Sequence, residues 1–101
     1  MLKNFRTYDL AVSFYRSTQA LRLTGEIRDQ LHRAALSIVC NLAEGNGRPT
    51  VADKRRMFCI AMGSLRECQA LLDIAAVDSE VTKEGDALGA AMYRLIERVQ
   101  K

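Results

Sequence analysis

Basic side chains and glycines surround one predicted turn, and these residue types are suited to binding an anion. The turn is the segment Gly45–Pro49, which contains Arg48, and Lys54, Arg55 and Arg56 follow shortly after it. Cations near a helix N-terminus oppose the helix dipole, so a sequence selected for stability alone would place acids there. Arginine, lysine and the backbone N–H groups of a glycine-rich turn all bind phosphate oxygens. The turn therefore favours an anionic partner, with RNA or DNA as the candidate.

The geometry of a helix limits this interpretation. Successive residues point 100° apart, so Arg55 and Arg56 cannot both face one ligand squarely. Arg66 lies on the Arg55 side and could extend a basic strip, and the net charge of the whole chain is only +3. A purely solubilising role for these charges stays open. The candidate nucleic-acid-binding residues are Arg33, Arg48, Lys54, Arg55, Arg56 and Arg66.

A narrow polar stripe runs along an otherwise apolar segment. At 100° per residue, one side of the predicted helix carries Gln30, Arg33, Ser37, Asn41 and Glu44. Serine and asparagine suit hydrogen bonds to backbone at tight helix crossings. The stripe is either a hydrogen-bonded seam that fixes helix register or a contact line for a ligand or nucleic acid.

Residues suited to catalysis are few. The single histidine, His32, has no cysteine or carboxylate at a catalytic spacing. Glu80 and Glu84 come closest to a magnesium-binding carboxylate pair, but they lie at the start of a helix that glycines weaken. The segment Gly45–Thr50 lacks the preceding strand and the Gly-Lys-Ser/Thr ending of a nucleotide-binding loop. We therefore expect no enzymatic activity, no cofactor and no metal.

Cysteine usage and hydropathy indicate the compartment. Cys40, Cys59 and Cys68 cannot all pair within one chain, and no two are spaced as a metal pair. Their aliphatic neighbours predict buried, reduced thiols. The longest charge-free stretch, Ala34–Ala43, is about half the length needed to cross a bilayer, and the N-terminus lacks the apolar core of a secretory signal. These features predict a cytoplasmic protein that does not associate with membranes.

Four helical patterns organise the chain into one all-α domain over residues 1–101. Apolar residues recur with a 3.6-residue period, and no stretch alternates apolar with polar residues for long enough to predict a strand. Thr7 and Thr50 are the predicted N-caps, Thr24-Gly25 ends the first helix, and Gly45 is the predicted left-handed C-cap of the second. Short connections favour an antiparallel up-down four-helix bundle. The predicted helices span about 7–23, 26–44, 51–77 and 81–99.

The second and third helices are more apolar than a single bundle requires. On the second helix the apolar surface extends over roughly 200° of arc, whereas a helix of a four-helix monomer should keep nearly half its surface polar. Excess apolar surface usually marks an interface, and symmetric self-association is the default for such a domain. The alternative is that the second helix is simply the most buried one. The predicted oligomer interface consists of Ala35, Leu36, Val39, Ala43, Ile60 and Leu71.

Two blocks of sequence resemble the bacterial 23S rRNA intervening-sequence protein family. The first is 30–38 with 41–45 and Gly47-Arg48, and the second is 58–67. The chain differs from that family at Val39-Cys40, where many members have a proline-containing pair, and it has no tryptophan in the first helix. The resemblance covers most of the chain. Its motif implies structural roles for Ser37, Asn41, Glu44, Gly45, Gly63 and Ser64.

The resemblance implies an up-down four-helix bundle without an attached enzymatic activity. The family includes ring-shaped homopentamers, so a pentamer is favoured over a dimer. A similar bundle is the accessory variability protein of diversity-generating retroelements, a basic pentamer that binds nucleic acid and a reverse transcriptase. Two functions follow: a non-catalytic oligomer that binds nucleic acid through the basic residues named above, or a protein–protein interaction scaffold that binds no nucleic acid.

Overall fold

Four helices form the part of the chain that the structure describes. A computed structural model describes the backbone of residues 5–100 and the side chains of residues 5–99. The ends of the predicted domain, residues 1–4 and 101, lie outside this range. The described part contains helices and no strand, which confirms the all-α class. The helices are α1 (Arg6–Gln19), α2 (Gly25–Asn46), α3 (Val51–Ile74) and α4 (Glu80–Gln100).

The helices are arranged as an up-down bundle in which each helix packs against two neighbours. The contacting pairs are α1 with α2, α2 with α3, α3 with α4, and α4 with α1. Near the end of α1, Ser17 donates a 2.8 Å hydrogen bond to Glu84 near the start of α4. At the opposite end of the pair, Arg6 lines a cavity with Arg98. The two helices therefore run antiparallel, as the short connections predict.

Gly45 is required by the crossing of α2 and α3. The prediction that it is a left-handed C-cap is wrong. It is buried one residue before the end of α2, and positive φ is found elsewhere in the described residues, at Gly25 and Ala76. A Cβ atom at Gly45 would lie 2.7 Å from Cε1 of Phe58 and 3.0 Å from Cβ of Met57. Only glycine lets the two helices approach this closely.

The core contains the stripe that the sequence predicts for α2. Leu31, Ala34, Ile38 and Leu42 are all buried there. Phe14 is fully buried on α1, and a Cβ at Gly85 of α4 would lie 3.2 Å from its ring. The two helices can therefore approach one another because position 85 has no side chain.

The first helix is shorter than predicted and begins differently. Phe5 occupies the N-cap position without a side-chain cap bond, and Thr7 is a buried residue inside α1. The helix ends at Gln19, and the chain is non-helical before Gly25 begins α2 with φ 67°. Leu21 and Leu23 both pack against the core. A helix cannot place two residues at that spacing on one face, which accounts for the early end.

The third helix begins as predicted and ends three residues early. Thr50 caps its N-terminus by accepting a 3.1 Å hydrogen bond from the Asp53 N–H. At its C-terminus the N–H of Val77 donates to the Leu72 carbonyl at 2.9 Å, and Ala76 has φ 57°. This hydrogen bond and the positive φ together define a Schellman motif, in which the left-handed residue is usually glycine.

We expect Ala76→Gly to stabilise the protein by about 0.5 kcal/mol. Glycine removes the strain of a Cβ in the left-handed region, roughly 1–2 kcal/mol, and part of this gain is offset by greater freedom of the unfolded chain. Ala75→Gly is the matched control, because Ala75 has φ −80° and gains nothing from glycine. Thermal or urea unfolding should rank Ala76→Gly above wild type and Ala75→Gly below it. The reverse order would contradict the assignment of the cap.

The three thiols do not share one environment. Cys68 is buried, and burial raises the pKa of its thiol to about 12, so it remains protonated at neutral pH. Cys40 and Cys59 are exposed, so the prediction of burial is wrong for both. They lie on the outer sides of α2 and α3, so their apolar neighbours in the sequence do not bury them in the structure.

Among the described residues, every helix is too short or too polar to cross a membrane.

The predicted interface residues divide into core and surface. Ala35 is 0% exposed and Leu71 is 7% exposed, so both pack inside one chain and their assignment to an interface is wrong. Val39 packs partly buried against the core, and Ala43 is half-buried. Leu36 and Ile60 remain on the surface, 46% and 43% exposed. The apolar arc of α2 is wide because α1 and α3 cover its two flanks.

Candidate functional site

Two of the four cations at the α2–α3 turn support the end of α2. Arg48, in the turn just after α2, donates to the carboxylate of Glu44 in the last turn of that helix. The ammonium of Lys54 donates to the Asn46 carbonyl at 2.8 Å. It thereby caps the last turn of α2, where carbonyls lack helical partners and cations are favourable. The turn is therefore less available to an anion than its sequence indicates.

The polar stripe of α2 contains a hydrogen-bonded seam with α3. The hydroxyls of Ser37 and Ser64 lie 2.9 Å apart, and the Asn41 amide donates to the Ser37 carbonyl at 2.8 Å and to its hydroxyl at 3.0 Å. These bonds support the structural interpretation. Arg33 is exposed beside the seam and forms no hydrogen bond or ion pair with another described residue. Gly63 lies outside the seam, on the surface of α3.

A cluster of arginines lies where α1 begins and α4 ends. Arg6, Arg94 and Arg98 line a cavity of about 180 Å³, together with Phe5, Thr7 and Ala91. No carboxylate lines this cavity. Arg94 and Arg98 are one helical turn apart on α4, and the antiparallel packing of α1 places Arg6 beside them.

A larger groove between α3 and α4 adjoins this cavity. It has a volume of about 330 Å³, and Arg94 lines both. Arg66 lies on its α3 side, and Tyr93 on α4 is 61% exposed. The remaining lining residues are Gln69, Asp86, Gly89 and Ala90. We call Arg6, Arg66, Arg94 and Arg98 the arginine face.

The charge of the arginine face is uncompensated by any ion pair within the described residues. Arg66 donates to the neutral amide oxygen of Gln69 at 2.8 Å. Like charges one helical turn apart, as at Arg94 and Arg98, destabilise a helix by about 0.2–0.5 kcal/mol. Arg6 opposes the dipole at the start of α1, whereas Arg98 in the last turn of α4 complements it. Fold stability therefore explains one of the four arginines.

The comparisons with known proteins agree with this architecture. The family model described as 23S rRNA-intervening sequence protein matches residues 5–101. The chain belongs to this family. No curated protein matches this intervening sequence protein. A solved structure that is similar is described as a protein with unknown function from the S23 ribosomal protein family of Bacteroides thetaiotaomicron VPI-5482.

That structural likeness concerns the fold alone. The two chains are 16% identical, and the match covers 89% of this chain and 97% of the other, with a TM-score of 0.81. Both therefore have the same arrangement of helices. The surface residues of the intervening sequence protein have to be interpreted from its own structure.

The arginine face was not predicted from the sequence of this intervening sequence protein, with the exception of Arg66. Its members are spread from residue 6 to residue 98, and no local run of charge joins them. One signal was available: Arg94 and Arg98 are like charges on one face of the fourth helix. The local run of charge, Lys54-Arg55-Arg56, lies instead at the α2–α3 turn. Within residues 5–100 no group of three His, Cys, Asp or Glu side chains could hold a metal ion.

Proposed function

We propose that this intervening sequence protein is a non-catalytic homo-oligomer that binds RNA or DNA through the arginine face. The observation that carries this proposal is the set of four arginines on α1, α3 and α4, none of which is paired with a described carboxylate. Phosphate contacts from arginine supply most of the sequence-independent affinity for nucleic acid. The exposed arginines of α2 and α3, Arg33, Arg55 and Arg56, extend the field around this site.

Self-association is supported by the outer side of α3. Ala52, Cys59, Gly63 and Ala70 are all exposed and share one side of the helix at 100° per residue. Exposed Ile74 lies about 40° from this line and exposed Ile60 about 80° from it, with the charged side chains of Arg56 and Glu67 on the same side. Small residues let a second helix approach closely, and the apolar side chains beside them would be buried by it. We define this line of small residues and its two isoleucines as the α3 outer face.

Gly63 is the most informative position of the α3 outer face. A glycine inside a helix costs about 1 kcal/mol relative to alanine. Within one chain nothing requires it, because no other helix lies within 4 Å of a Cβ built there. Close approach of a second subunit would require it. The family resemblance favours a pentamer for the assembly, with a dimer as the next candidate.

We expect Gly63→Leu to dissociate the oligomer without unfolding the chain. Leucine is a good helix former and meets no clash within the monomer, whereas a second helix packed on Gly63 would be displaced. Light scattering should give several times the 11.3 kDa chain mass for wild type and a lower multiple for the variant. Ala87→Leu, at an exposed alanine on α4, is the control and should leave the mass unchanged. A monomeric wild type, or equal masses for all three proteins, would contradict this interface.

Binding to nucleic acid is tested on the wild type by fluorescence anisotropy with labelled RNA and DNA. The logarithm of the binding constant should fall linearly with the logarithm of salt concentration, because each neutralised phosphate releases condensed counterions. Affinity should differ little between sequences. Absence of binding at about 50 mM salt would reject the proposal and favour the alternative, a protein–protein interaction scaffold.

A cytoplasmic location is part of the proposal. Cys40, Cys59 and Cys68 are all free thiols in the structure, which fits a reducing compartment. Nucleic acid is also accessible there.

A further inference from the structure

We infer that the groove between α3 and α4 holds an unpaired nucleobase stacked on Tyr93, with the adjoining phosphates on the arginines at either side. This inference rests on the proposed function and adds a ligand class to it: single-stranded rather than duplex nucleic acid.

Tyr93 has the placement of a stacking residue. It is 61% exposed on α4, more than any other aromatic side chain among residues 5–99. Its helix-surface neighbours one turn earlier are Gly89 and Ala90, which also line the groove. Neither has a side chain long enough to cover the ring. A planar group can therefore approach the face of Tyr93 along α4.

Arginines lie on both sides of this aromatic platform. Arg94 follows Tyr93 and joins the groove to the cavity of Arg6 and Arg98. On the α3 side, Nη1 of Arg66 lies 4.0 Å from a Cβ built at Gly89. A base in the groove would thus have a cation near the phosphate on each side. Aromatic stacking flanked by cations is how proteins bind single strands without reading sequence.

Two polar residues of the groove, Gln69 on α3 and Asp86 on α4, are suited to the edge of a base. Arg66 donates to the Gln69 amide oxygen at 2.8 Å, and the Gln69 amide nitrogen lies 3.4 Å from Oδ1 of Asp86. An exposed carboxylate repels phosphate, whereas it accepts hydrogen bonds from the N–H groups of a base. The groove, about 330 Å³, lies at the lower end of the usual range for small-molecule sites, roughly 300–1,000 Å³.

These features select unpaired bases. In a duplex the faces of the bases are stacked on each other and their pairing edges are occupied, so an aromatic ring cannot stack on them and the protein reaches only the backbone and the groove edges. Alanine-type replacement of a stacking aromatic residue weakens binding by roughly 5- to 150-fold per base. We expect a loss in this range for single strands when Tyr93 is replaced by an aliphatic residue.

The first test uses Tyr93→Trp, which retains a stacking ring and introduces a single tryptophan, because the natural chain has none. Its fluorescence is followed during titration with three polyanions: a single-stranded RNA or DNA oligonucleotide, a duplex of the same sequence and inorganic polyphosphate, which has no bases. We expect strong quenching by the single strands and little by the duplex or by polyphosphate. Equal quenching by all three would overturn the inference.

The second test compares Tyr93→Leu with Tyr93→Phe. The phenylalanine variant should bind single strands like wild type, and the leucine variant should bind them roughly 5- to 150-fold more weakly. Both should bind polyphosphate equally. Helicity and oligomer mass are measured in parallel, and a change of mass for Tyr93→Leu alone would place Tyr93 in a subunit interface and overturn the inference.

The inference and the proposed function fail in different ways. If wild type binds neither oligonucleotides nor polyphosphate at low salt, the proposed function fails, and this inference fails with it. If wild type binds all polyanions in a salt-dependent manner and Tyr93→Leu has no effect, the inference alone fails. In that case the arginine face binds phosphates and the groove remains empty of bases.

Discussion

Ala35→Glu is expected to unfold the chain. Ala35 is 0% exposed within the core, so the introduced carboxylate would displace packed side chains and would have no partner. An unpaired buried charge costs several kcal/mol, which is comparable to the whole stability of a small domain, about 5–15 kcal/mol. Circular dichroism should show loss of most helical signal at 25 °C, or a strongly lowered melting temperature.

The control for this prediction is the next residue on the same helix. Leu36 is 46% exposed, so Leu36→Glu introduces the same charge into solvent and should leave helicity and melting temperature close to wild type. The oligomer mass of Leu36→Glu also tests the surface part of the predicted interface on α2. Equal melting temperatures for the two variants would show that the core of α2 has been placed wrongly.

The fold was predictable because its determinants are local. Helical periodicity, the turn at Gly45–Pro49 and the cap formed by Thr50 and Asp53 all appear within a few residues of sequence. The role of Gly45 was not predictable from the sequence, because a left-handed cap and a close helix crossing both require glycine. Only the position of Phe58, 2.7 Å from where a Cβ would lie, distinguishes them.

The interface prediction failed at Ala35 and Leu71 for a geometric reason. A helical wheel gives the angle between residues but not the number of neighbouring helices. Because α2 packs against both α1 and α3, a wide apolar arc is covered within one chain. What remains exposed is narrower, and on α3 it is a line of small residues, which an argument from hydrophobicity does not select.

The sequence is an even weaker guide to the charged surface than to the interface. A run such as Lys54-Arg55-Arg56 is visible in the sequence, but Lys54 is used to cap α2 and Arg48 is paired with Glu44. Arg6 and Arg98 are distant in sequence, and only the antiparallel packing of α1 against α4 brings them to one cavity. Local charge density therefore overstates the turn and misses the arginine face.

Replacing Arg6, Arg94 and Arg98 together with Gln is expected to remove most of the affinity for single-stranded nucleic acid. Each phosphate contact contributes about 0.7 to the slope of log affinity against log salt for single strands, so three lost contacts should reduce the slope by about 2. Raising the salt from about 50 to 200 mM lowers the affinity of both proteins. The fold-loss of affinity should be roughly 20 times smaller for the variant than for wild type. The measurement is fluorescence anisotropy with labelled RNA and DNA.

The matched control removes the same amount of positive charge from a different part of the surface. Arg33, Arg55 and Arg56 are also exposed, and their triple Gln variant leaves Lys54 in place to cap α2. Both triple variants reduce the net charge by three, so a general electrostatic effect would lower their affinities equally. Specific contact at the arginine face requires a clearly larger change of slope in the Arg6, Arg94 and Arg98 variant, with unchanged helicity and oligomer mass in both. A larger change in the control variant would instead place the binding surface at the α2–α3 turn.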